Sequence, residues 1–133
     1  MLIKKLVDIV AQVDTILVDK SVDLRFTLHL LADHKIGALP VVDDDDKIEG
    51  IISERDFVRV MSKNSEALDD MRVEDAMTKS VITCSTDDTV EDVFKMMYEK
   101  GIRHIPVTEE NRLVALLSAR DFQRVYVEAG TTV

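Results

Sequence analysis

Gly50-Ile51-Ile52-Ser53-Glu54-Arg55-Asp56-Phe57 returns, little changed, as Ala115-Leu116-Leu117-Ser118-Ala119-Arg120-Asp121-Phe122. Reading Ser53 to Val60 against Ser118 to Val125, the residues Ser, Arg, Asp, Phe, Arg and Val coincide, and only Glu54/Ala119 and Val58/Gln123 differ. The chain is a duplication. Working outward, Val7-Asp8-Ile9-Val10-Ala11 corresponds to Val73-Glu74-Asp75-Ala76-Met77 and Thr15-Ile16-Leu17 to Val81-Ile82-Thr83, and Ile36 and Pro40 correspond to Ile102 and Pro106, each 66 positions later. The spacing falls to 65 between Ser53 and Ser118, so the first copy carries one extra residue before its Ser.

Apolar periodicity then places the elements. Leu2, Ile3, Leu6, Val7, Ile9, Val10 and Val13 predict an amphipathic helix over residues 2–13. Thr15 to Val18 reads as a short strand, and Val22 to His34 as a helix with Leu24, Thr27, Leu28 and Leu31 on one face. Ile36–Val42 and Lys47–Ile52 form a hairpin around Asp43-Asp44-Asp45-Asp46, a solvated turn with a cation site as the alternative reading. Pro40 lacks an amide donor and favours an edge, a bulge or a strand end. Ser53 caps a helix to about Met61, and Ser62 to Met71 reads as a polar linker.

In the second copy Val81-Ile82-Thr83 is the expected strand. Asp88 is the expected cap of the next helix, with Glu91 at the capping-box position, Gly101 at the close, and Val90, Val93, Phe94 and Met97 on the buried face. Each copy is thus β-α-β-β-α, an α/β (α+β) arrangement in two layers. A half of about 60 residues is marginal alone, so the two repeats are expected to pack sheet to sheet with pseudo-twofold symmetry.

Composition narrows the function. With 133 residues, 46% of them hydrophobic, and a net charge of -9, the chain can fill a core but disfavours the phosphate backbones of DNA or RNA. Its apolar runs fall far short of the roughly 20 residues that span a bilayer, and the start lacks a signal-peptide pattern. A cytoplasmic protein with no membrane partner is expected. The single cysteine, Cys84, reads as a small strand-end residue. The methionines, Met71, Met77, Met96 and Met97 among them, read as adaptable core filler. His29 and His34 do not share a helix face, and neither a Gly-x-Ser-x-Gly elbow nor a Walker loop is present. No enzyme activity and no metal are expected.

Ser53-x-x-Asp56 and Ser118-x-x-Asp121 stand at strand-to-helix junctions, where two readings remain open. Ser followed three residues later by an acid is a capping box. The same geometry offers free amides and a hydroxyl to an anion, and a carboxylate to two ribose hydroxyls. Arg55 and Arg120 either add charge toward phosphate or are solvated helix residues. A second cluster is Gly101-Ile102-Arg103-His104-Ile105-Pro106-Val107, with a cation and an imidazole at the start of a strand.

Taken together, these motifs resemble the CBS-domain family. Over residues 7 to about 127 the chain resembles a tandem CBS pair, or Bateman module, of the kind found as small stand-alone bacterial proteins. The expected divisions are repeat 1 over 7–62 and repeat 2 over 73–127, with 1–6 the start of a helix and 63–72 a linker.

The resemblance implies a regulatory, signal-transducing module. It would bind an adenosine-containing nucleotide (AMP, ADP, ATP or NAD(H)) or S-adenosylmethionine in clefts between the repeats, with no cofactor required. By that analogy Asp56 and Asp121 bind ribose, while Ser53, Ser118, Arg55, Arg120, Arg103 and His104 lie near phosphates and Thr78 joins the nucleotide-binding set. Adenine stacks among Ile16, Leu17, Ile82, Thr83, Leu39, Pro40, Ile105 and Pro106, whose backbone can read the purine edge. Gly37-Ala38 replaces Arg103-His104 in the first copy, so unequal clefts are expected, and Ala115 in place of Gly50 is expected to narrow the second. Ser118-Ala119-Arg120-Asp121 departs from the family's usual Ser-Ile-Gly-Asp ending. A homodimer and an unidentified protein target complete the expectation; the alternative is a ligand-free dimerisation scaffold.

Overall fold

The computed structural model of the chain describes residues 1–10 and 16–128. In chain order its elements are α1 (Ile3–Val10), α2 (Leu24–His34), β1 (Ala38–Val42), β2 (Ile48–Ser53), α3 (Glu54–Lys63), a 3-10 turn (Ala67–Asp69) and α4 (Val73–Ala76). There follow β3 (Cys84–Ser85), α5 (Val90–Lys100), β4 (His104–Glu109), β5 (Arg112–Ser118) and α6 (Ala119–Glu128). They form two units, one over residues 16–81 and one that joins residues 1–10 to 82–128.

The unit over 16–81 is built on the antiparallel hairpin β1–β2, with Ala38 opposite Ser53 and Pro40 opposite Ile51. Val18 adds to the other edge of β1, donating to Pro40 O at 3.2 Å and accepting from Val42 N at 3.1 Å. The next bond of that parallel ladder would run from the residue-40 amide to the residue-16 carbonyl. Pro40 has no amide hydrogen, so the ladder stops there. The strand expected over Thr15–Val18 is therefore reduced, among the described residues, to Val18; Thr15 lies outside them.

The same chemistry acts in the other unit, where β3 pairs in parallel with β4 (Cys84 opposite Val107) and β4 in antiparallel with β5. Pro106 cannot donate to residue 82. The strand expected at Val81-Ile82-Thr83 accordingly begins only at Cys84.

Helix ends follow local chemistry. Thr89, not Asp88, caps α5, its Oγ1 accepting from Asp92 N at 3.2 Å; Asp88 instead accepts from Ser85 N at 2.8 Å. Thr89 lies one residue nearer the first buried turn. Gly101 closes the helix at φ 65°, and Lys35 takes the same left-handed turn after α2 at φ 54°. Without glycine that conformation costs about 1 kcal/mol. The Asp43 carboxylate organises the first hairpin turn, accepting from Asp45 N at 2.8 Å and Lys47 N at 3.0 Å.

Each unit has its own core. Val18, Leu24, Leu31, Leu39, Val41, Ile52, Phe57, Val60, Leu68 and Val73 are buried together in one. Ile3, Leu6, Val90, Val93, Met97, Ile105, Val107, Leu117 and Phe122 are buried in the other. Each such side chain contributes roughly 1.5–3 kcal/mol. The expected polar linker is part of this packing, because the turn at Ala67–Asp69 buries Leu68.

The short helices that open the two copies are exchanged between units. α1 is tied to the second copy through Ile3 N to Asp88 O and Val90 N to Met1 O, both 2.8 Å; α4 is tied to the first through Val73 N to Val22 O at 2.9 Å. No helix among the described residues is long and apolar enough to cross a membrane.

Burial, with the charge of Asp88 adding, pushes the Cys84 thiol up to about 12 from an ordinary 9.0. Since the thiolate is the nucleophile, iodoacetamide is expected to modify Cys84 only after denaturation, as read by mass shift. Above the unfolded value the unfolded chain loses a proton that the folded chain keeps, so this group's contribution falls as pH rises from 9.0 toward 12. Rapid alkylation of the folded chain near neutral pH would contradict the buried placement.

Candidate functional site

Both repeated junctions fold in the same way. At the end of β2, Ser53 N donates to Asp56 Oδ2 at 2.9 Å and Ser53 Oγ to the same oxygen at 3.1 Å. At the end of β5, Ser118 N donates to Asp121 Oδ2 at 2.8 Å, Ser118 Oγ donates to it at 3.1 Å, and Asp121 N donates to Ser118 Oγ at 3.3 Å. The capping reading of the Ser-x-x-Asp motifs is therefore realised in both. What separates them is the carboxylate's other oxygen.

In the first copy Asp56 is 5% exposed, and its Oδ1 accepts from Thr78 Oγ1 at 3.1 Å and Arg59 Nη2 at 3.4 Å. Arg59 also donates to Ala76 O at 2.7 Å. Thr78 is bonded in both directions to Ile51, at 3.0 and 2.9 Å, which lays residue 78 along β2. Gly37 and Ala38 stand beside this junction, Glu54 N donating to Gly37 O at 3.0 Å, and bring no charge. Leu39 and Pro40 are buried, whereas Leu17 is 40% exposed, Ile16 is partly buried, and Arg55 is exposed.

In the second copy the hairpin register sets His104 opposite Ser118, and Ala119 N donates to Arg103 O at 2.7 Å. Arg103, His104, Ser118 and the first turn of α6, with Arg120 and Asp121, thus meet at one end of β4–β5. Asp121 is partly buried, and among the described residues its Oδ1 takes no hydrogen bond. Ile105 and Pro106 are buried and can present only backbone to a ligand. Ile82 and Thr83, left off the sheet by Pro106, are exposed. Among the described residues their backbone amides and carbonyls make no hydrogen bond.

Sequence reasoning missed the grip of Arg59 and Thr78 on Asp56. A signal existed for the first, since Arg59 follows Asp56 by three positions, the spacing of neighbours on a helix face. Thr78 reaches Asp56 only through tertiary pairing, 22 positions away in sequence.

Residues 7–63 and 73–128 each match the CBS domain family. Inosine-5'-monophosphate dehydrogenase of Methanocaldococcus jannaschii is 31% identical over 131 residues, which is 96% of this chain and 25% of the enzyme. The chain therefore spans about a quarter of that curated relative. A CBS-domain-containing protein from Agrobacterium tumefaciens, of known crystal structure, superposes with a TM-score of 0.85 at 32% identity, covering 94% of this chain and 98% of its own. A CBS domain pair crystallised in complex with 5'-methylthioadenosine and S-adenosyl-L-methionine superposes with a TM-score of 0.78 at 26% identity, covering 95% and 99%.

Proposed function

The chain belongs to the CBS-domain family as a tandem pair, and from that premise we propose that it is a regulatory module whose second repeat holds an adenosine-containing ligand. The observation that carries this reading is the meeting of Arg103 and His104 with Ser118, Arg120 and Asp121 at one end of the β4–β5 hairpin. Those groups match a nucleotide's needs. Arginine guanidinium and the positive end of the α6 dipole favour phosphate or carboxylate, and a carboxylate oxygen accepts from ribose hydroxyls. The exposed backbone of Ile82 and Thr83 supplies donors and acceptors for a purine edge. The structural relative bound to 5'-methylthioadenosine and S-adenosyl-L-methionine supports the same ligand class. In this reading the chain binds and releases its ligand without transforming it, and another protein reads its state.

The test is thermal denaturation and calorimetric titration with AMP, ATP, NAD+ and S-adenosyl-L-methionine, each alone. A ligand at a hundred times its Kd is expected to add about 2.7 kcal/mol to stability and raise the midpoint. A chain that none of the four stabilises, and from which no small molecule is released on denaturation, is a scaffold instead.

A further inference from the structure

We infer that the two ribose-type carboxylates have divided their roles, so that Asp56 is a structural tie and the chain takes one adenosine ligand, through Asp121. This rests on the proposed ligand reading. A carboxylate offers about four acceptor positions. Asp56 has filled them with Ser53 N, Ser53 Oγ, Thr78 Oγ1 and Arg59 Nη2, at 5% exposure. A ribose diol could enter only by displacing Thr78, which the two bonds to Ile51 hold in place. Among the described residues Asp121 uses Oδ2 alone, for the cap, and its Oδ1 is left for a diol.

The part that Arg59 plays in this difference traces to one charge. Arg124, the counterpart of Arg59, donates from Nε to Glu128 Oε1 at 2.8 Å, and among the described residues it makes no hydrogen bond to Asp121. The position equivalent to Glu128 is Lys63, 65 residues earlier, whose like charge cannot hold Arg59. Arg59 instead engages Asp56 and Ala76 O. Gly37-Ala38 in place of Arg103-His104 removes cationic and imidazole groups from the same junction.

The experiment measures ligand stoichiometry on the native chain by native mass spectrometry and calorimetry with AMP, ATP, NAD+ and S-adenosyl-L-methionine. It is repeated on Asp56→Asn, Thr78→Val and Asp121→Asn with each probe that binds. The expected result is one ligand per chain, an affinity about tenfold to a hundredfold weaker in Asp121→Asn, and an unchanged Kd in Asp56→Asn and Thr78→Val. Amide exchange at Ile51 and Thr78 is expected to accelerate in Thr78→Val. Two ligands per chain, or an affinity loss in Asp56→Asn equal to that in Asp121→Asn, overturns the division of roles while leaving the functional reading intact. Binding of no probe to the native chain defeats the functional reading itself, and the one-ligand assignment with it. Unchanged exchange in Thr78→Val rejects the tie whatever the ligand results.

Discussion

Phe122→Ala is expected to lower the stability of the chain by about 3–5 kcal/mol, the range for emptying a buried aromatic site. Phe122 is fully buried, and its ring stacks on Phe94 with centroids 5.2 Å apart and planes 6° apart. Phe94 in turn stacks on Tyr126 at 5.8 Å, so Phe122 fixes both α5 and α6. The residue also follows Asp121 directly. A loosened α6 would misplace the first turn that brings Ser118 and Asp121 together, so ligand response is expected to fall along with stability. Urea denaturation followed by circular dichroism reads the first effect. Tyr98→Ala is the control, because Tyr98 is 87% exposed. Equal midpoints for the two variants would mean that Phe122 does not hold α6 to its unit.

The duplication shows why so much of this architecture was legible. Matched residues, 66 and then 65 positions apart, give the element order twice, and the copies check each other. The expected β-α-β-β-α order came from apolar periodicity read in both copies, and the family from the paired Ser-x-x-Asp motifs together with Gly101–Val107. The strand at Val81–Thr83 was misplaced because β-branched character marks an extended segment without saying whether a neighbour can bond to it. Pro106 decides that, and its effect appears only once the parallel register is known. The cap at Thr89 was missed because Asp88 is an equally good cap by composition, and only the first buried turn distinguishes them. Leu68 lay in a stretch with too few apolar residues to show a period, yet one side chain sufficed to draw it into the core. The candidate site was legible in its residue types. The occupancy of Asp56 was not, because Thr78 reaches it through pairing with β2.

Gly50→Ala is expected to destabilise the first unit by about 1–3 kcal/mol, the range for overpacking a filled site, although it adds one methyl group. A Cβ at position 50 would lie 2.8 Å from Thr78 O, 2.9 Å from Met77 Sδ and 3.2 Å from Met77 Cγ. Met77 is a flexible side chain and can swing aside. Thr78 O cannot, because it is a backbone atom accepting from Ile51 N at 3.0 Å. Relief of the clash therefore requires residue 78 to lift from β2, which stretches its two bonds to Ile51 and draws its hydroxyl from Asp56. The second copy carries Ala115 at the matching position and buries it at 7% exposure, so the methyl group itself is compatible with this hairpin. The expected penalty thus arises from the close approach of residue 78. Chemical denaturation together with amide exchange at Ile51 and Thr78 separates the possibilities. Lower stability with faster exchange at both amides is the expected pattern, and native exchange with native stability would mean that residue 78 does not rest on Gly50.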